Sequence, residues 1–344
     1  MGVNVFDLVP KRIIELEALK NKTIAIDAHL VMYQFLSTIR QADGTPLKDS
    51  HGNITSHLQG IFSRNLNLMQ KQIKLCYVFD GKPPELKLKE IERRRSIKHE
   101  AEIKYKEAAK KRDIEEMKKY AQRTSRLTED MIEEAKELLD ALGIPIIQAP
   151  SEGEAQASYV VKKGDAYAVG TQDADALMFG AAKIVKNLTI SERKKMPGKL
   201  SYMKILPELI TLSDTLEANK LTQDQLIALC ILVGTDYNPG GIKGIGPQKA
   251  LKLVHEHKND FEKLFSSAKW GDYFDFSWGD VFTIIKEMPV TDKYDLKFKK
   301  LDENKVTKLL CDGHDFSLQR ISDSLKKLNT EEKQQAGLDK WFSQ

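Results

Sequence analysis

Seven carboxylates stand where a folded chain could gather them: Asp27, Asp80, Glu152, Glu154, Asp173, Asp175 and Asp236. Asp27 closes the apolar run Thr23-Ile24-Ala25-Ile26, and Asp80 follows Leu75-Cys76-Tyr77-Val78-Phe79. Glu152 and Glu154 come just after Pro145-Ile146-Ile147-Gln148, and Asp173 and Asp175 after Ala166-Tyr167-Ala168-Val169. Asp236 lies in Val233-Gly234-Thr235-Asp236-Tyr237, past an apolar stretch. Seven acids cannot share one edge in water without strong repulsion, which bound divalent cations would remove. An all-oxygen donor set selects hard ions such as Mg²⁺ or Mn²⁺ over zinc. His29 is the one nitrogen donor close by in sequence, and a place on a helix surface is the expectation for it. Two ions roughly 4 Å apart suit in-line attack on a phosphodiester, one lowering the pKa of the attacking water and the other stabilising the leaving oxygen. A lone Asp after a strand is more often an N-cap or turn residue. Two closely spaced pairs, each directly after a strand, are harder to explain that way. The pattern fits a nuclease, a phosphatase or another Mg²⁺ phosphotransfer enzyme.

A second candidate is Gly241-Ile242-Lys243-Gly244-Ile245-Gly246, set between two helical stretches. Glycines let a backbone approach a ligand closely and offer its N–H groups. No strand precedes the run, so it is neither a dinucleotide fingerprint nor a P-loop. Helix, apolar-x-Gly-apolar-Gly, helix is the helix-hairpin-helix arrangement, whose amides hold a DNA phosphate without reading sequence. Lys243 and Lys249 add positive charge beside it. An ordinary interhelical turn is the plainer alternative.

Positioning these groups requires short strands alternating with helices. Strands are expected at 23–26, 75–79, 145–148, 166–169 and 183–187. Helices are expected at 30–40, 54–72, 128–142 and 154–163, with Gly143 and Pro145 ending the third. That alternation predicts an α/β domain with a central, mostly parallel, twisted sheet flanked by helices. Ligands of such a sheet bind beyond the carboxyl ends of its strands, where the acids lie. Further helices are expected at 221–233 and from about 248, and residues 260–330 read as mostly helical.

The stretch 82–122 interrupts the pattern. It is rich in Lys, Glu, Arg and Ala and reads as a helical insertion over the sheet's edge, or simply as a solvated charged helix. Residues 82–126 carry 16 Lys/Arg against 9 Asp/Glu, although the whole 344-residue chain has a net charge of only +4. The remainder is therefore slightly acidic. With 41% hydrophobic and 30% charged residues the chain can bury a core, which excludes disorder as a whole. No apolar run is long enough to span a membrane. The N-terminus has no secretory pattern, and Phe6 stands where myristoylation wants Ser or Thr. Cys76, Cys230 and Cys311 are too scattered for a disulfide framework or a zinc site, so a reduced intracellular protein is expected.

Six ordered segments resemble the flap endonuclease family: Ile26-Asp27-Ala28 through Tyr33-Gln34-Phe35-Leu36; Val78-Phe79-Asp80-Gly81-Lys82-Pro83-Pro84; Ala149-Pro150-Ser151-Glu152-Gly153-Glu154-Ala155; Gln172-Asp173-Ala174-Asp175; Gly234-Thr235-Asp236-Tyr237; and Gly241 through Pro247. The match spans essentially the whole chain, and Asn238-Pro239-Gly240-Gly241 is similar to the archaeal branch. The resemblance implies a PIN-like 5′ nuclease fold and a structure-specific enzyme that cuts 5′ flaps during Okazaki-fragment maturation and repair, with 5′–3′ exonuclease activity. It implies that the seven acids hold two Mg²⁺ ions, which Mn²⁺ can replace. Lys87 and Arg94 match the family's two basic catalytic residues, which would contact the scissile phosphate. Asp173 belongs with them as the acid whose loss should stop the chemistry. Tyr33 matches an aromatic that stacks on a base; without the resemblance it reads as a core tyrosine. Gly2 corresponds to a residue near the active site.

The resemblance further implies that 82–126 is a helical arch over a single-stranded 5′ end. DNA shape, through bending at a nick or junction, would then set selectivity. The helix-hairpin-helix of Gly241, Lys243, Gly244, Gly246 and Lys249 would hold duplex backbone with a monovalent ion. At the end, Gln335-x-x-Leu338-x-x-Trp341-Phe342 matches a sliding-clamp (PCNA) motif, an apolar anchor on a polar tail. Trp341 stands where many relatives have Phe. Ser343-Gln344 replaces the Lys-rich tail of eukaryotic relatives, so a cytoplasmic archaeal setting is expected rather than a nuclear one. The expected layout is one nuclease domain, 1–330. It comprises an N-terminal region 1–100, the arch, an internal region 127–260 with the helix-hairpin-helix at 225–255, a helical part 260–330, and a clamp-binding tail 331–344. DNA and the clamp are the expected partners of a monomer that has no membrane contact. The contrasting expectation is a non-catalytic DNA-junction scaffold that recruits the clamp; retention of all seven acids favours catalysis.

Overall fold

The short apolar runs assemble side by side into a seven-stranded mixed sheet. The computed structural model describes residues 3–111, 113–121, 124–188, 193–195 and 202–328. Gly2 and the residues Gln335, Leu338, Trp341 and Phe342 of the clamp motif lie outside the described residues. The strands are β1 (Arg12–Ile13), β2 (Thr23–Asp27), β3 (Lys74–Phe79), β4 (Ile146–Gln148), β5 (Ala168–Gly170), β6 (Lys183–Lys186), β7 (Arg193–Lys195), β8 (Tyr202–Lys204) and β9 (Glu208–Thr211). The sheet order is β1-β9-β6-β5-β2-β3-β4, and β7 pairs with β8 as a separate ribbon. The centre is parallel, with β2 flanked by β3 and β5, β4 beyond β3 and β6 beyond β5. β9 joins antiparallel between β6 and β1. β1 and β7–β9 lie outside the expected strands, because charged residues among their two to four positions leave no sustained apolar run to read.

The helices, in order, are α1 (Ala28–Thr38), α2 (Ser56–Gln70), α3 (Glu85–Lys111), α4 (Ile114–Ala121), α5 (Glu129–Ala141), α6 (Gly153–Lys163), α7 (Asp175–Met178), α8 (Leu212–Asn219), α9 (Gln223–Val233), α10 (Pro247–His257), α11 (Phe261–Ser267), α12 (Trp278–Lys286) and α13 (Glu303–Thr307). Caps set their starts. Thr128 accepts from the Met131 amide at 3.3 Å, where an N-cap was expected. Thr222 and Gln225 form a reciprocal capping box, so α9 begins at Gln223 rather than 221.

Residues 260–328 are mostly helical, as expected, with one long break: residues 287–302 are not helical. Pro289 removes a backbone donor, and Tyr294, Leu296 and Phe298 repeat every second residue, the period of an extended chain. This segment is tied to α6, where Thr291 donates from its amide to Gln156 at 2.7 Å and accepts from it at 2.9 Å.

The core lies on both faces of the sheet. Ile24 and Ile26 face a layer containing α1, α2 and α5, while Ala25 faces the layer of α6, α7 and α9. Side chains alternate along a strand, so a sheet covered on both faces needs the near-continuous apolar runs seen here. The parallel strands consequently end together at one edge.

Candidate active site

That edge carries the acids. Asp27 is the last residue of β2 and the N-cap of α1, and its Oδ1 accepts from the Leu30 amide at 2.9 Å. Asp80 follows β3, and its Oδ1 accepts from the Gly153 amide at 2.6 Å. A Cβ on Gly153 would sit 2.7 Å from that oxygen, so the approach depends on glycine. Glu152 is the N-cap of α6, and Glu154 lies in its first turn. The Thr171 hydroxyl donates to Glu154 at 3.0 Å and accepts from the Asp173 amide at 3.1 Å, linking the two acidic pairs. Asp175 opens α7 and accepts from the Val3 amide at 2.6 Å. Asp236 sits in the turn after α9, which Asn238 fixes by accepting from the Thr235 hydroxyl at 2.7 Å and donating to the Ile231 carbonyl at 2.7 Å.

Burial and like charge act together on these groups. Burial chiefly, with the Asp80 charge next, pushes Asp27 up to about 8. Burial pushes Asp175 up to about 7, against the Val3 hydrogen bond and aided by Asp173. Glu154 is held well above the carboxylate range by burial and then by Asp175, Asp27 and Asp173. Glu152 is raised by burial, which outweighs the neighbouring Lys87 ammonium. The donor set is all oxygen apart from His29, and its ionised form needs positive charge, so the residues fit hard divalent cations.

The positive charge present comes from α3. Lys87 contacts Glu152 and lies 3.5 Å from Asp236, and Arg94 contacts Asp236. Burial opposes the Lys87 charge, but Glu152 and Asp236 more than offset it and raise its pKa. Lys87, Glu90 and Arg94 are spaced i, i+3, i+7 and share one helix face. Glu90, 3% exposed, accepts from Arg93 Nε and Nη2 at 2.6 and 2.8 Å and from Arg94 Nε at 2.6 Å. Those hydrogen bonds, Arg93's first, hold its carboxyl below the usual range. The basic stretch 82–126 thus contains two helices, α3 and α4, and the Lys87–Arg94 face of α3 enters the acidic edge.

Tyr33 is 38% exposed rather than a core residue, and Lys98 of α3 lies 4.4 Å from its ring centroid. His29 is also not a helix-surface residue. Its ring packs edge-on against Phe79, and Nδ1 accepts from the Asp80 amide at 3.2 Å. Burial above all keeps its pKa low, against the Asp80 charge. The glycine hairpin joins α9 to α10, with Lys243, Gly244, Gly246 and Lys249 exposed and Ile242 and Ile245 buried beneath it. Lys249 Nζ reaches the Gly244 carbonyl at 3.4 Å. Sequence reasoning missed Glu90, Thr171 and the Val3 amide. Only Glu90 carried a signal, its helical spacing from Lys87 and Arg94.

Comparison with known proteins matches residues 2–101 to the XPG N-terminal domain and residues 143–236 to the XPG I-region. Flap endonuclease 1 of Pyrococcus abyssi is 53% identical over 99% of this chain and 98% of its own length. That of Hyperthermus butylicus is 48% identical over 99% of each chain. Among solved structures, flap endonuclease-1 from Methanococcus jannaschii superposes with a TM-score of 0.75 at 43% identity, covering 96% of this chain and 98% of that one. The catalytic core of Rad2 in complex with DNA substrate gives a TM-score of 0.71 at 25% identity, over 95% of this chain and 100% of that one. Identity of this degree, sustained over the full length and accompanied by the same fold, establishes that the chain belongs to the flap endonuclease family.

Proposed function

We propose that this chain is a divalent-metal-dependent, structure-specific nuclease that cuts DNA at 5′ flap junctions in replication and repair, with accompanying 5′–3′ exonuclease activity. The observation that carries the reading is the joining of the basic face of α3 to the acidic edge, through Lys87 on Glu152 and Asp236 and Arg94 on Asp236. A phosphatase edge would need no 27-residue basic helix laid across it. A clamp-recruiting scaffold would need neither buried carboxylates nor cations aimed at them.

Asp27, Asp80, Glu152, Glu154, Asp173, Asp175 and Asp236 would hold two Mg²⁺ ions, with Mn²⁺ able to substitute. Bound there, the ions supply activation of the attacking water and neutralisation of charge on the leaving oxygen. The chain's own residues do the rest. Thr171 and the Gly153 and Val3 amides fix carboxylate orientation before substrate arrives. Lys87 and Arg94 exchange a carboxylate partner for the non-bridging oxygens of the scissile phosphate and stabilise charge that grows there. Tyr33, held beneath α3, offers a face on which a base next to the cut can stack. The amides of Gly244 and Gly246, with Lys243 and Lys249 and a monovalent ion, would grip duplex backbone away from the cut, whereas the expected Gly241 is buried and its amide donates to the Asn238 carbonyl at 3.1 Å, so it shapes the turn instead. The tail residues Gln335, Leu338, Trp341 and Phe342 would dock on a sliding clamp.

The test is cleavage of a labelled double-flap DNA with Mg²⁺. Asp173→Ala should abolish cutting while leaving DNA binding in place. Unimpaired cutting by that variant would sink the metal assignment.

A further inference from the structure

We propose that Lys98 is a displaceable cover on the Tyr33 ring, which a base beside the cut must push aside, so that Lys98 adds selectivity for nucleotides able to stack. The inference rests on the reading of Tyr33 as a stacking face and adds a competitor for that face within the chain itself. Lys98 Nζ lies over the ring, 4.4 Å from its centroid. That is well inside the roughly 6 Å reach of a cation–π contact. Tyr33 stands on α1 with 38% of its surface exposed, and its hydroxyl meets the Leu127 backbone beyond α4. The ring is thus accessible and fixed in place, and Lys98 occupies one of its faces.

Three cations of α3 stand in one row. At 3.6 residues per turn, Lys87, Arg94 and Lys98 fall within about 40° of one another around the helix axis. The first two rest on carboxylates, Glu152 and Asp236. Lys98 does not. Glu102, four residues on and the natural i, i+4 partner, pairs with Arg126 at 2.9 Å instead. Among the described residues Lys98 has no ion-pair partner. Burial first, and then the Arg94 and Arg126 charges, lower its pKa, so the ring holds an ammonium that its surroundings disfavour. Such a group leaves readily for a phosphate oxygen, and its departure bares the ring. A base that then stacks on Tyr33 replaces a weaker contact with a stronger one, because base–aromatic stacking exceeds an exposed cation–π contact. A nucleotide without a base gains nothing from the displacement.

The alternative is that a base takes the other face of Tyr33 and Lys98 stays where it is. Full-length Asp173→Ala protein, which should bind without cutting, is compared with forms that also carry Lys98→Met, Tyr33→Leu or both. Methionine keeps the helix propensity and much of the length of lysine and removes its charge. Affinity is measured for a double-flap DNA with an ordinary or an abasic nucleotide beside the cut. We expect the abasic nucleotide to weaken binding about tenfold where Tyr33 is present and little where it is replaced. With the ordinary nucleotide, Lys98→Met should cost about two- to fivefold more affinity in the Tyr33→Leu chain than where Tyr33 remains, because only there is Lys98 free of the ring before DNA arrives. Labelling with 3-fluorotyrosine reports on the ring itself. The Tyr33 resonance, assigned by its loss in Tyr33→Leu, should differ between Lys and Met at position 98 in the free protein and coincide once DNA is bound. Equal losses of affinity in the two chains, or a larger loss where Tyr33 remains, overturn the inference alone. So does a free resonance indifferent to residue 98, or a bound one that still depends on it. Equal affinity for the ordinary and abasic DNA where Tyr33 is present overturns the stacking reading, and this inference with it.

Discussion

Burial and neighbouring negative charge make Asp27, Glu152, Glu154 and Asp175 reluctant to ionise in the absence of cations. Asp27 is raised from 3.8 to about 8 and Asp175 from 3.8 to about 7. A carboxyl whose folded pKa is raised binds its proton more tightly in the folded chain. Its contribution is complete below the unfolded pKa and is lost as pH rises through the folded one. In EDTA the thermal midpoint should therefore fall between about pH 5 and pH 8.5, and Mg²⁺ should raise it most at the alkaline end. A flat midpoint in EDTA would contradict the burial account. Glu90 makes a different prediction. Its carboxylate holds Arg93 and Arg94, so Glu90→Gln should slow single-turnover cutting by roughly tenfold with little change in DNA affinity. Added to Arg94→Ala it should slow cutting no further, because both changes remove one arrangement. Full additivity in that double variant would show that Glu90 does not act through Arg94.

At the scale of elements, α3 does two jobs. Its composition makes it a solvated basic helix, and one face carries Lys87, Glu90 and Arg94 into the site. Neutralising Lys87 or Arg94 should slow cleavage far more than it weakens binding; equal losses would mean simple phosphate anchoring. The turn between α9 and α10 shows which glycines the fold requires. Gly241 has φ 56°, and a Cβ there would collide with the backbone of Val233 and Gly234. Gly246 has φ −93° and open space where a Cβ would be. Gly241→Ala should thus destabilise by at least about 1–2 kcal/mol in chemical denaturation. Gly246→Ala should stay within about 0.5 kcal/mol while weakening duplex binding if its amide approaches a phosphate. Wild-type affinity in Gly246→Ala would remove that glycine from the interface.

Over the whole molecule, a net charge of +4 conceals opposite fields: an acidic strand edge and a basic insertion. Binding should weaken steeply with salt, since the cations of α3 displace counterions from phosphate. Removing residues 335–344 should leave intrinsic cleavage intact and abolish stimulation by a sliding clamp. Stimulation that survives the deletion would place the clamp contact elsewhere on the chain.

The sequence by itself determined the parallel centre of the sheet, the seven acids and the basic insertion. Strand period, capping chemistry and charge spacing are local properties that a linear chain displays directly. Lys87 and Arg94 were legible through motif resemblance, and their common helix face through their spacing. Tertiary structure decided the partners. Glu90 on two guanidinia, Thr171 between Glu154 and Asp173, and the Val3 amide on Asp175, 172 positions away, depend on contacts between elements distant in sequence. The same holds for β9, which turns a parallel sheet into a mixed one, and for Thr291 and Asp292, which tie the non-helical stretch 287–302 to α6. His29 shows the division most clearly. Residue type left its place open, and only the packing of its ring on Phe79 and the Asp80 amide brings it to the acidic edge, because side-chain direction is fixed by what surrounds it.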